Sequence, residues 1–242
     1  MNRLGLSMEK VKAIFVSHEH GDHITGIPGL SKKFQLPVYI TNATLNNGRL
    51  PIDENLVRCF NCNEPTLIEG FSVQAFRKAH DAADPHSFTI TYNGTTIGIF
   101  TDIGFPCGEL AYHFKLCHAA FLEANYDVDM LMNGKYPYHL KKRISGGNGH
   151  LSNKQALDVF KQHRPVQMSH LILAHLSKNN NCPDLVKNMF EMEAGETEII
   201  VASRYEETKM LHIVATKANH LNVQPRPKKQ YVPKPLQLAL FA

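Results

Sequence analysis

The chain of 242 residues contains no tryptophan, and its five cysteines are too few and too irregularly spaced for a disulfide framework. Such a set fits a reducing compartment, so a cytoplasmic protein is expected. Cys59 and Cys62 form a lone C-x-x-C pair with no second pair downstream to complete a four-cysteine zinc site, and they read as two thiols near a strand end. No stretch approaches the roughly 18 apolar residues needed to span a bilayer. The opening "MNRLGLSMEK" lacks the apolar segment of a signal peptide, so neither membrane insertion nor secretion is expected. Charge of one sign is also scarce. A net charge of +4 and a pI near 8.7 allow a nucleic-acid partner without the density of a DNA-coating protein.

What is present is ordinary core material, 43% hydrophobic, arranged as α/β punctuation. "VKAIFVS" reads as a strand, "DHITGIPGLSKKF" as a helix and "PVYI" as a strand. "HSFTITYNGTTIGIFTD" is a hairpin signal, because Asn93-Gly94 tolerates the positive φ of a two-residue turn. Further strands fit "AAFLEAN", "QMSHLILAH", "TEIIVAS" and "KMLHIVA", with helices near 153–162 and 183–192. After about residue 217, "KANHLNVQPRPKKQYVPKP" is rich in proline and lysine and reads as an extended linker, followed by the apolar "LQLALFA". The expected division is a folded domain over 1–217 and a flexible tail over 218–242.

Fourteen histidines are an excess, and their placement says more than their number. "SHEHGDH" puts His18, His20, Asp22 and His23 where a predicted strand gives way to a helix. A divalent ion requires imidazole nitrogens and carboxylate oxygens converging on one point, and alternate residues of an extended loop supply them, with Glu19 and Gly21 as spacers. His80, Asp102 and His175 also close predicted strands. Donors at the carboxyl ends of successive strands gather along one sheet edge, where α/β folds place their sites.

The H-x-H-x-D-H pattern, here "HEHGDH", resembles the signature of the metallo-β-lactamase fold. Within that superfamily the chain is similar to the WalJ/YycJ group of 5'-to-3' DNA exonucleases, through "AHDAADPHSFTI", "FTDIG", "EANYDVDML", "GKYPYHLKKRI", "GHLSN" and "AHLSKNNN". The resemblance implies a four-layer αββα sandwich with a two-metal site, holding Zn2+ or Mn2+, at one edge. Its ligands carry over as His18, His20 and His80 on one metal, Asp22, His23 and His175 on the other, and Asp102 between them. Members of this fold begin with one or two further strands, whereas ten residues precede Val11, so the expected sandwich lacks the first amino-terminal strands. The family's histidine in the "EANYD" segment is Tyr126 here.

The implied chemistry is hydrolysis of a phosphodiester by hydroxide bridging two cations about 3.5–4 Å apart, as in a DNA exonuclease of replication or repair. Asp22 and Asp102 would act with the metals, and His150, before a helix capped by Ser152 or Asn153, would meet a phosphate or protonate the leaving oxygen. Asn125 and Asp127 read either as partners of a ligand histidine or as helix caps. Lys141, Lys142 and Arg143 read as backbone contacts or a solvated face, and Ser177 and Asn179 as phosphate contacts or loop residues. The terminal "QLALF" looks like the pentapeptide that binds the bacterial sliding clamp, with Gln237, Leu238, Leu240 and Phe241 as its anchors. Other hydrolases of the fold, a ribonuclease or thioester hydrolase, and a non-catalytic clamp-associated protein are the alternatives. The first is weakened by the absence of an inserted tRNA-binding arm.

Overall fold

The computed structural model describes residues 2–62 and 64–215, so the expected linker and the clamp-binding residues Gln237, Leu238, Leu240 and Phe241 lie outside the described residues. Two sheets face one another. The smaller is parallel, with β1 (Ile14–Phe15), β2 (Val38–Tyr39) and β3 (Val57–Arg58) in that order. The larger contains β4 (Pro65–Ile68), β5 (Phe71–Arg77), β6 (His86–Tyr92), β7 (Thr95–Phe100), β8 (Ala119–Glu123), β9 (His170–Ala174) and β10 (Glu198–Val201). Their spatial order is β10-β9-β8-β7-β6-β5-β4.

Three apolar clusters define four layers. Val16, Val38 and Ile40 of the small sheet pack with Ile24 and Ile27 from α1 (Gly21–Ile24) and α2 (Ile27–Phe34). Between the sheets, Phe15 and Tyr39 meet Val73, Ala75 and Phe88, with the Phe15 and Tyr39 rings stacked at 4.6 Å. On the far face of the large sheet, Phe76, Phe100, Leu122 and Leu171 pack against α4 (Gly108–Phe114), α7 (Asn153–His163) and α8 (Pro183–Glu191). The strands are two-sided because their residues alternate: on β5, Val73 and Ala75 face the small sheet while Phe76 faces the helices.

The first sheet has three short strands among the described residues. Residues before β1 form only 3-10 turns at Asn2–Leu4 and Met8–Lys10, and β1 is an edge strand. Residues of β1 and of β5 to β7 line a cavity of about 360 Å³ between the sheets.

Three readings need correction. The helix expected over 22–34 is two helices separated at Thr25-Gly26, because Pro28 sits in the first turn of α2, where its missing N–H is harmless but would break a continuing helix. "KMLHIVA" forms no strand: the outer edge of β10 is not paired by it, and Met210 and Val214 are exposed, so alternation without a layer to bury it did not produce pairing. Glu19 is no mere spacer, since its Oε1 accepts from Asn47 Nδ2 and from the Ala83 amide, each at 2.7 Å. The β6–β7 hairpin forms as read, with Asn93 at φ 46° and Gly94 at φ 78°.

On β7, the Phe100 ring lies where a Cβ on Gly98 would stand, 2.3 Å from its nearest atom. Gly98→Ala should therefore overpack the helix-side core and lower stability by about 1–3 kcal/mol. The denaturant midpoint should fall with an unchanged slope; an unaltered midpoint would show that the ring relocates freely.

Candidate metal centre

Strands β5, β7, β8, β9 and β10 run in one direction, as their pairings require, so their carboxyl ends share one edge of the large sheet. His80 follows β5, Asp102 follows β7, Glu123 ends β8 and His175 follows β9. The small sheet delivers its loop to the same edge: the amide of His86, at the start of β6, donates to the Ser17 carbonyl at 2.9 Å. That bond fixes "HEHGDH" above the strand ends. Asp102 and His175 both adopt left-handed backbone, φ 57° and 58°, which bends the chain sharply as it leaves the sheet.

The expected donors come together in two sets. His18 Nε2 lies 3.1 Å from His20 Nδ1, and His80 Nε2 lies 3.3 Å from the same atom. The remote nitrogens of these rings are engaged: His20 Nε2 donates to the Asp81 carbonyl at 3.1 Å, His80 Nδ1 donates to the Gly149 carbonyl at 3.0 Å, and His18 Nδ1 pairs with the Ser17 hydroxyl at 3.0 Å. The two carbonyl bonds require N–H at His20 Nε2 and His80 Nδ1 and so leave the lone pairs of His20 Nδ1 and His80 Nε2 facing one another, while the Ser17 hydroxyl can donate to or accept from His18. Tetrahedral coordination with zinc–nitrogen bonds of ~2.0–2.1 Å puts donor atoms about 3.3 Å apart, which matches. Burial holds His18 neutral, with a pKa pushed down to about 2, and His80 likewise at about 4, the protonation state a cation needs.

In the second set, Asp22, His23 and His175 offer donor atoms within 4.8 Å of one another. Asp102 stands between the sets: it groups with His18 and His23 on one side and with His175 on the other, where His175 Nε2 lies 3.3 Å from its Oδ1. Its Oδ2 is buried and makes no hydrogen bond, although His23 Nε2 is 3.4 Å away. Burial opposes ionisation of Asp102, yet His23, His175 and Lys78 outweigh it and hold the carboxyl far below the usual range. An ionised, buried oxygen without a hydrogen-bond donor is what a cation would satisfy, so the residues present fit the group. They fit divalent-metal binding.

Glu123 was missed by sequence reading. It is fully buried, and its Oε1 accepts from His150 Nδ1 and His175 Nδ1, both at 2.8 Å, while Oε2 accepts from the Ile103 and Leu151 amides at 2.8 and 3.1 Å. Burial works against its charge, but the two histidines bring its pKa down to about 2. In return Glu123 raises His175 to about 9 against the opposing effect of burial. A glutamate at the end of the apolar run "AAFLE" was the available signal. Lys78 was missed as well; its buried ammonium donates to the Thr101 carbonyl at 2.7 Å and lies 3.9 Å from Asp102 Oδ2, and burial lowers its pKa to about 8.

A cleft of about 880 Å³ opens on the centre, with Asp22, His150, His175 and Ser177 in its walls. Asn179 is not among its lining residues and donates to the Tyr136 hydroxyl at 3.1 Å. Lys141 and Arg143, on α6 (Tyr138–Ser145), are engaged within the fold: Lys141 Nζ donates to the Met132 carbonyl and Arg143 Nε to Asp81 Oδ2, each at 2.6 Å. Asn125 Nδ2 donates to the His175 carbonyl at 2.7 Å, whereas Asp127 caps α5 (Val128–Asn133) through the Met130 amide. Tyr126 is buried, and Ser152 caps α7 with a reciprocal bond to Gln155. Cys59 and Cys62 are free thiols and join no donor group among the described residues.

The model of the beta-lactamase superfamily domain matches residues 2–176, and the chain belongs to that superfamily as a metal-dependent hydrolase of the metallo-β-lactamase fold. Among its relatives is Exodeoxyribonuclease YycJ of Bacillus anthracis, 33% identical over 206 residues that cover 83% of this chain and 77% of that protein. Exodeoxyribonuclease WalJ of Streptococcus pneumoniae (strain D39) is 28% identical over 182 residues, 73% of this chain and 68% of that one. The metallo-β-lactamase fold protein YhfI from Bacillus subtilis shares the fold at TM-score 0.63 and 19% identity, over 81% of this chain and 76% of its own.

Because one carboxylate orients both His150 and His175, Glu123→Gln should weaken zinc binding about 10- to 100-fold. Competition with a chromophoric chelator measures this, and a melt of the metal-free variant checks folding. Unchanged affinity would deny Glu123 that positioning role.

Proposed function

We propose that the chain is a 5'-to-3' DNA exonuclease acting in replication or repair in the cytoplasm. The observation that carries this reading is the convergence of two donor sets on Asp102, with Asp22 and His175 of the second set lining a cleft large enough for a polymer end. The relatives named exodeoxyribonucleases supply the substrate class. Among the described residues no helix is long and apolar enough to cross a membrane.

In this reading His18, His20 and His80 would hold one cation and Asp22, His23 and His175 a second, with Asp102 shared between the two sets. Divalent ions there, zinc or manganese, would polarise a phosphate oxygen and acidify a water near neutral pH. The residues do the rest. Asp22, exposed at the cleft, orients the attacking water as a hydrogen-bond acceptor. His150 gives Nδ1–H to Glu123, which leaves Nε2 for the cleft, where a proton on it passes to the departing oxygen. Ser177 lines the path of the strand, and Asn179, Lys141 and Arg143 shape its surroundings through the contacts described above.

The manganese- or zinc-loaded chain should digest 5'-labelled linear DNA, with Asp102→Asn at background. His150→Gln should lower kcat about 100- to 10,000-fold while metal content stays at the wild-type level. Cleavage of RNA with DNA left intact would replace this reading by a ribonuclease, and intact nucleic acid of both kinds would remove it.

The carboxy-terminal "QLALF" is proposed as a docking peptide for a bacterial sliding clamp, tethered through the Pro/Lys-rich residues 218–236. A peptide of the last twelve residues should retain purified clamp, with Gln237→Ala and Phe241→Ala abolishing retention. Equal retention of all three peptides would dispose of the proposal.

A further inference from the structure

The centre occupies only part of its cleft. The lining continues through Tyr136 and Lys178 to Arg204 and Tyr205, which follow the carboxyl end of β10 on the same sheet edge as the metal-binding residues. A volume of about 880 Å³ is near the upper end of the ~300–1,000 Å³ typical of ligand sites, more than a single phosphodiester requires.

The far wall is fixed before any ligand arrives. The Ala202 amide donates to the Leu173 carbonyl at 2.9 Å, Ser203 Oγ accepts from the amides of Tyr205 and Glu206 at 3.1 Å each, and Arg3 pairs with Glu207 at 2.5 Å. Arg204 Nη2 donates to the Leu176 carbonyl at 2.7 Å, immediately after His175, so the guanidinium is registered to the metal centre. Among the described residues its remaining donors have no partner, and Lys178 makes no hydrogen bond or ion pair. Tyr205 is 74% exposed although its backbone is pinned. The other basic residues nearby, Lys141 and Arg143, are already engaged.

Unpaired cations beside an exposed aromatic ring on a pinned backbone suit a ligand that alternates anionic and flat apolar units. We infer that Tyr205 is a stacking platform for a nucleobase of the single strand next to the scissile bond, and that Arg204 and Lys178 take its flanking phosphates. This assignment rests on the nuclease reading. It places the strand's grip on the β10 side of the cleft rather than on the basic run of α6.

The test is fluorescence anisotropy with a labelled single-stranded phosphorothioate oligothymidylate, which resists cleavage, and the manganese-loaded full chain. Tyr205→Ala should weaken binding roughly 5- to 100-fold and Tyr205→Phe should restore it. Arg204→Gln should reduce the slope of log affinity against log salt by about 0.7. Melting temperature and metal content should stay at wild-type values in all three. Wild-type affinity in Tyr205→Ala, or a Phe variant no better than Ala, would overturn the platform while leaving the nuclease reading intact. A wild-type chain that binds no oligonucleotide would overturn both.

Discussion

The buried carboxylate of Glu123 holds the site together. A lone charge with no exposure would be strongly unfavourable, and this one is offset by four hydrogen bonds from three separate segments: the loop after β7 through Ile103, the loop before α7 through His150 and Leu151, and the end of β9 through His175. The single group therefore ties together the ends of β7, β8 and β9 and the "GNGH" loop, and removing it would leave two amides and two imidazoles seeking partners in a dry interior.

Around that anchor the electrostatics divide the histidines by role. His18 and His80 are neutral because they are buried, and the nearby Lys78 charge adds to that effect. His175 carries a proton up to about pH 9 because Glu123 and Asp102 outweigh its desolvation. One half of the centre is thus set in the form a cation takes up directly. The other half holds a positive charge that a cation would displace, which makes the two halves unequal in their dependence on pH. Lys78 belongs to the same balance: a buried ammonium beside Asp102 keeps that carboxylate ionised while its own pKa is reduced.

Much of this was legible. "HEHGDH" concentrates donors at spacing a loop can aim, and His80, Asp102 and His175 each follow an apolar β-branched run, so their common edge could be read from strand order alone. The hairpin was legible through Asn93-Gly94, and the cap of α7 through Ser152. Glu123, Lys78 and Arg204 were not, because their meaning lies in partners 20 to 52 residues away for Glu123, 23 to 24 for Lys78 and 28 for Arg204. Local pattern carries no record of such pairings. Basic residues show the same limit from the other direction. Lys141 and Arg143 look like a nucleic-acid contact in a linear sequence, yet at the surface they are engaged by the Met132 carbonyl and Asp81, whereas the exposed Lys178 makes no such bond.

Backbone strain completes the account of how the edge works. Asp102 and His175 leave β7 and β9, the neighbours of β8 on either side, and both do so through left-handed backbone that costs a non-glycine residue about 1–3 kcal/mol. A residue continuing in extended conformation would hold its side chain roughly perpendicular to the sheet; the left-handed turns redirect these two, and His175 Nε2 comes to 3.3 Å from Asp102 Oδ1. The compensation comes from the same neighbourhood. The amide after Asp102 is taken by Glu123 Oε2, and the carbonyl of His175 is taken by Asn125 Nδ2, two residues beyond Glu123. The middle strand thus supplies, at its last residues, the acceptor and the donor that make two strained turns tenable, and those turns are what aim Asp102 and His175 at one point.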